Sequence, residues 1–172
     1  MSNVKQESRV KNLPSIKNPL VAAVRDQLGH RATWLYLLCD EAQKKGLPWE
    51  DFACDAVRRC GLSQGSDLVA KGRTQSLLGL KKTLFTLPAR WVFEIKVRSV
   101  TDDAMDLDFH YCPLVHAWQE LGCTDEEIQR LCDIAMCGDH AIAEQFGCEL
   151  LLPQTIAGGA DCCQLRFRRK GK

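Results

Sequence analysis

The chain has 172 residues, 23 basic against 22 acidic side chains and a formal charge of +1. It is 45% hydrophobic with a mean hydropathy of −0.21, which excludes a disordered chain and suits one domain. Balanced charge argues against duplex nucleic acid as the partner, and no apolar run nears the ~20 residues that cross a bilayer.

Residues 1–17 mix Lys5, Arg9, Lys11 and Lys17 with Asn, Ser and one Pro and show no periodicity, so they are expected as a flexible N-terminal arm. They also lack the apolar core of a signal peptide, and a cytoplasmic location is expected. The domain proper is expected over residues 18–168. Asn18 is a good N-cap and Pro19 suits the first helical position. Val21, Val24, Leu28, Ala32, Leu35, Cys39 and Ala42 then recur at helical spacing up to Gly46. A second helix is predicted from Pro48 to Gly61, and a third from Ser66 to about Phe85.

At Pro88 the period changes from 3.6 to 2. Trp91, Phe93, Ile95 and Val97 alternate with Glu94, Lys96 and Arg98. After a turn at Thr101–Ala104, Met105, Leu107, Phe109 and Tyr111 alternate with Asp106, Asp108 and His110. The pattern predicts a hairpin that sets a largely basic outer face against an acidic one. Pro113 opens a helix that ends near Gly122. Thr124-Asp125-Glu126-Glu127 is a capping box for another, running to about Phe146. Strands are predicted from Cys148 to Leu152 and from Cys162 to Arg168. The basic residues 169–172 read as a solvated tail. The fold class is α+β: three N-terminal helices, then a four-stranded, mostly antiparallel sheet in ββ-αα-ββ order, covered by helices.

Ten cysteines are unusual for such a chain. A chain with a core of its own and no export signal does not need disulfides, so most are expected to be reduced and packed as small hydrophobes. Cys39, Cys54 and Cys60 fall where Ala or Val would serve. Three others stand apart. Cys112 precedes Pro113 at a helix N-cap, where free amides and the helix dipole favour a thiolate. His116 follows one turn later, the arrangement of a nucleophile and its base. On the helix after Thr124, Asp139 falls in the centre of the apolar stripe Ile128, Leu131, Ala135, Ile142 and Phe146, with Cys132 near its edge. A carboxylate there is either tied to a neighbouring loop by hydrogen bonds or faces a pocket as a general base or ligand anchor. Cys163 faces inward on the last strand. Cys112, His116, Cys132 and Cys163 would be the ligands if zinc were bound, but no CxxC pair supports a metal, and no cofactor is expected.

The run Phe109-His110-Tyr111-Cys112-Pro113-Leu114 to Leu121-Gly122, then Leu131-Cys132, Gly138-Asp139, Phe146 and the closing Gly159 to Phe167, resembles the L-2-amino-thiazoline-4-carboxylic acid hydrolase family. The resemblance covers about residues 88–168, with Cys112, Cys132, Asp139 and Cys163 in order. It implies attack on the C=N carbon of a cyclic amidine and opening of the ring towards carbamoyl-cysteine. Cys112, His116 and Asp139 would be the working group, Cys132 and Cys163 would border the substrate, and Arg90, or less well Lys82, would meet its carboxylate. The closing Gly159-x-x-x-Cys163-x-x-x-Phe167 is also similar to vinyl-reductase-type small-molecule-binding domains, some of which bind zinc through cysteines. That resemblance implies a non-catalytic binding or sensory domain instead. An accessory subunit of a larger enzyme is a third reading. The expected partner is a small-molecule substrate, with no nucleic acid or membrane, and a homo-oligomer is left open.

Overall fold

The computed structural model describes residues 8–171, so the expectations for residues 1–7 and Lys172 lie outside the described residues. Among the described residues no helix is long and apolar enough to cross a membrane. The order is α1 (Pro19–Lys44), α2 (Trp49–Gly72), α3 (Leu77–Thr83), α4 (Leu87–Val92), β1 (Ile95–Val100), β2 (Ala104–Phe109), α5 (Pro113–Glu120), α6 (Asp125–Gln145), β3 (Cys148–Leu151) and β4 (Cys163–Arg169). The sheet is antiparallel throughout in the order β1-β2-β4-β3, as the α+β reading requires.

The helix starts are those the caps predict. The Asn18 side chain accepts from the amides of Leu20 and Val21, and the Thr124–Glu127 capping box is closed on both sides. Three predicted boundaries are overturned. One is the helix expected from Ser66 to about Phe85: its first residues belong to α2, the chain turns at Arg73 in a left-handed conformation, and α3 covers only Leu77–Thr83. Four helices rather than three therefore precede the sheet. Helix α2 does not stop at Gly61 but runs on to Gly72. A Cβ at Gly61 would stand 2.2 Å from the carbonyl oxygen of Gly138, so this glycine serves a close crossing of α2 and α6 rather than a helix end. The first strand begins at Ile95, not Trp91, because residues 87–92 form a short helix with Pro88 in its first turn. Glu94 turns that helix into the strand at φ 52°, a left-handed conformation that a non-glycine residue rarely adopts. Its carboxylate is held there by the amides of Ser15 and Ile16, the Ser15 hydroxyl and Arg25.

The hairpin register pairs Ile95 with Phe109 and Val97 with Leu107, with a bulge at Arg98. The expected charge complementarity is present and extends to a third strand. Asp108 is buried between Arg98 and Arg166, and Arg168 bonds Asp106. Strand β4 continues through Arg169, whose amide donates to the Asp103 carbonyl, so only the residues after it remain for a tail.

Residues 8–17 lie against the domain. Val10 and Asn12 are buried, and Gln119 donates to the Val10 carbonyl. The helices and the sheet enclose two apolar clusters. One joins α1, α2, α5 and the first half of α6. The other joins α3, the sheet and the second half of α6. Helix α6 spans both, and Cys163 packs against each of them. One disulfide, Cys54–Cys137, links α2 to α6 with a Cα–Cα distance of 5.8 Å. The expectation that Cys54 is a simple packing residue is therefore corrected. The helices at their glycine crossing come close enough to place two thiols on facing turns, and nothing in the spacing of 83 residues announces it.

Candidate functional site

On α6 the side chains of Ile128, Leu131, Cys132 and Ile134 belong to the first apolar cluster, and Ile142, Ala143 and Phe146 to the second. Asp139 falls between them, at the seam. Cys112 reaches the same seam from the end of β2. Its backbone is extended (φ −131°, ψ 112°) and caps α5, with Pro113 in the first helical position. The side-chain amide of Asn12 fixes it there, accepting from the Cys112 amide at 2.9 Å and donating to its carbonyl at 2.8 Å. Cys132 and Cys163 complete the group, and the Cys163 sulfur accepts from the Ile156 amide at 3.2 Å.

Burial governs the electrostatics of all four groups, with smaller effects of Asp139 on Cys112 and Cys132 and among the thiols. Burial pushes the Asp139 carboxyl up to about 6, with the Arg31 guanidinium pulling the other way. Asp139 accepts no hydrogen bond from a protein group among the described residues, so the neighbouring loop does not tie it down as a structural aspartate would be tied. Burial also raises the Cys112 thiol above its ordinary value, and the Asp139 charge adds to this. The amides of Leu114 and Val115, together with Arg31, oppose the rise without cancelling it. The lowered pKa expected from the helix N-terminus is thus corrected: those amides point at the sulfur without closing a cap hydrogen bond, and desolvation outweighs them. Cys163 is pushed up to about 12 by burial and then by Cys112, while Cys132 is raised well above the usual range by burial and its two thiol neighbours. Cys112, Asp139 and Cys163 nevertheless keep part of their surface exposed.

His116 does not join this group. It faces a cleft of about 800 Å3 between α1, α5 and residues 14–19, beside the Tyr111 ring at 6.0 Å and the Glu120 carboxylate at 3.5 Å. Its predicted partner Cys112 is sensitive to Asp139 and Arg31 instead. Among the described residues no three His, Cys, Asp or Glu side chains come together to hold a metal ion, so the set Cys112, His116, Cys132 and Cys163 is not assembled as zinc ligands. Arg90 lines a separate cleft with Glu94, Lys96 and His110, and Lys82 is exposed on α3. Neither shares a surface with Cys112 and Asp139. The cation whose charge acts on both is Arg31, exposed on α1, which the sequence reading missed. No local pattern marks it, since its role depends on how α1 packs across α5. Asn12 was missed as well, because it lies in the segment read as an arm.

The fold is an α+β domain in which the charge of Asp139, on α6, acts on Cys112 at the start of α5. The family model of the L-2-amino-thiazoline-4-carboxylic acid hydrolases matches residues 25–167, and the chain belongs to that family. The match is longer than the stretch from residue 88 that carries the motifs, and takes in the helical half with Arg31. Searches among curated proteins and among solved structures return no match.

Proposed function

We propose that the protein hydrolyses a cyclic amidine of the 2-amino-thiazoline-4-carboxylate type, with Cys112 as nucleophile, Asp139 as proton carrier and amidine anchor, and Arg31 as the cation for the substrate carboxylate. Membership of a family with a hydrolase description supports the reaction class. The observation that carries the reading is the pairing of Cys112 with an Asp139 that has no hydrogen-bonding partner in the protein and a pKa near 6. A carboxyl poised close to neutrality takes up and returns protons at low cost, and as a carboxylate it recognises the two nitrogens of an amidine through charge-assisted hydrogen bonds.

The raised pKa of Cys112 fits an enzyme that is quiet until substrate arrives. A cationic amidine on Asp139 neutralises the charge that helps to keep the thiol protonated. Asp139 then takes the Cys112 proton as the sulfur adds to the C=N carbon. Collapse of the tetrahedral centre breaks the ring C–N bond, and Asp139 delivers a proton to the departing nitrogen. Water adds to the same carbon and expels Cys112, leaving the carbamoyl group on the substrate sulfur. The sum is one substrate plus one water, with no change of oxidation state. His116, whose ring lies beside Tyr111 and Glu120, takes no part in this scheme.

Incubation of the purified protein with 2-amino-thiazoline-4-carboxylate tests the reading. A product heavier by one water and carrying a new primary amine supports it. Saturable binding without turnover favours the non-catalytic binding domain instead.

A further inference from the structure

The cleft around Arg90 has a volume of about 480 Å3, is lined among others by Leu13, Leu87, Trp91, Glu94, Lys96 and His110, and includes none of Cys112, Cys132, Asp139 and Cys163. Two of its polar atoms are buried without a hydrogen-bond partner, Arg90 Nε and His110 Nε2. Unpaired buried polar atoms of this kind are uncommon in folded proteins and call for an explanation. The one carboxylate residue lining the same cleft among the described residues, Glu94, is already engaged. Glu94 accepts from Ser15 and Ile16 and is ion-paired to Arg25 at 3.0 Å. Among the described residues neither Arg90 nor Lys96 has a carboxylate within salt-bridge distance, so the cleft carries two uncompensated cations.

Its walls are equally unusual. Leu13 is 86% exposed, Leu87 54% and Trp91 46%, so three large apolar side chains ring the unpaired guanidinium. Lone exposed apolar residues need no reason, but a group of them beside an orphaned cation describes an amphiphilic ligand. From these features we infer a second binding site in this cleft for a small organic carboxylate with a flat apolar body. The planar fork of Arg90 takes the carboxylate in bidentate fashion. His110, kept neutral by burial and by Lys96, supplies the remaining ring nitrogen. The body lies on Trp91 and Leu87, and Lys96 at the rim adds long-range attraction. A phosphate alone would leave these apolar walls empty. The inference does not depend on the chemistry proposed for Cys112.

Calorimetric titration of the full chain with naphthalene-2-carboxylate tests it, with naphthalene-2-carboxamide and inorganic phosphate as comparisons. Saturable binding of the carboxylate is expected, at least about tenfold tighter than that of either comparison. Arg90→Gln should weaken it about tenfold or more, Trp91→Ala should weaken it as well, and Cys112→Ser should leave it unchanged. Arg90→Lys, which keeps the charge but loses the fork, should fall between and serves if the Gln variant does not fold. Failure of the wild type to bind at millimolar carboxylate, equal binding of the amide or of phosphate, or indifference to Arg90→Gln would each overturn the inference.

Discussion

The side-chain amide of Asn12 grips Cys112 by both of its backbone groups, accepting from the amide at 2.9 Å and donating to the carbonyl at 2.8 Å. A residue one hundred positions away in sequence thus completes, in place of a neighbouring strand, the pairing that the end of β2 would otherwise lack. Asn12→Ala leaves the Cys112 amide unpaired, while the carbonyl keeps only its bond from the His116 amide at 3.1 Å, and should cost about 1–3 kcal/mol in urea unfolding. Turnover should fall further than that loss of folded protein explains, because the thiol is no longer fixed at the helix start. Equal stability and activity in the variant would show that the contact positions nothing.

Asp139 is the group whose titration matters most. With its pKa raised from 3.8 to about 6, the folded protein holds a proton on Asp139 that the unfolded chain has released at the same pH. Stability from this group therefore declines as pH rises from about 4 through 6, and the penalty is full above that window. About two pH units at roughly 1.36 kcal/mol each set a ceiling near 3 kcal/mol. Asp139→Asn should be more stable than wild type at pH 7.5 by about 1–3 kcal/mol, with the gap closing towards pH 4. The same substitution should reduce kcat/KM by about 10²-fold or more, and wild-type kcat/KM should rise through a pH near 6. A variant that is active and no more stable at pH 7.5 would contradict both parts.

The crossing of α2 and α6 rests on Gly61. A methyl group there meets the Gly138 carbonyl oxygen at 2.2 Å, whereas one at Gly138 meets Val57 Cγ1 at 3.2 Å, the end of a side chain that can move. Gly61→Ala should cost about 3 kcal/mol or more despite the gain of roughly 1 kcal/mol in helix propensity, and Gly138→Ala far less. Thermal unfolding of the two variants side by side decides the order.

The Cys54–Cys137 disulfide closes a span of 83 residues between the same two helices, leaving eight free cysteines among the described residues. Thiol titration of the non-reduced protein in denaturant should count eight, rising to ten after reduction. Reduction should lower stability by roughly 2–5 kcal/mol. A count of ten without reductant would show that the bond does not form.

How much of this was legible in the sequence follows from how local each signal is. The caps at Asn18 and Thr124 and the alternation through Met105, Leu107 and Phe109 depend on neighbours within one turn or one strand. The caps hold, and the alternation holds at Met105 and Leu107, but Asp108 is buried under Arg98 and Arg166 and Phe109 is only half-buried. Gly61 misled because a glycine reads the same whether it ends a helix or lets another helix approach. Trp91 misled because a single turn of helix can carry an alternating pattern. Asp139 was found through its place on the stripe of α6, and Cys112 through Pro113. Arg31, Asn12 and the partner of Cys54 were not legible, since each acts through a contact that only the packing of distant elements creates. His116 shows the converse. Its spacing from Cys112 is right for a pair, but its ring turns to Tyr111 and Glu120.

The central claim is that Cys112 is the nucleophile that opens the ring. Steady-state turnover of 2-amino-thiazoline-4-carboxylate by Cys112→Ser, with far-UV circular dichroism to check the fold, tests it most directly. A loss of about 10²-fold or more in kcat by a folded variant, alongside His116→Ala within a few-fold of wild type, is the predicted result. Full activity of folded Cys112→Ser would contradict it.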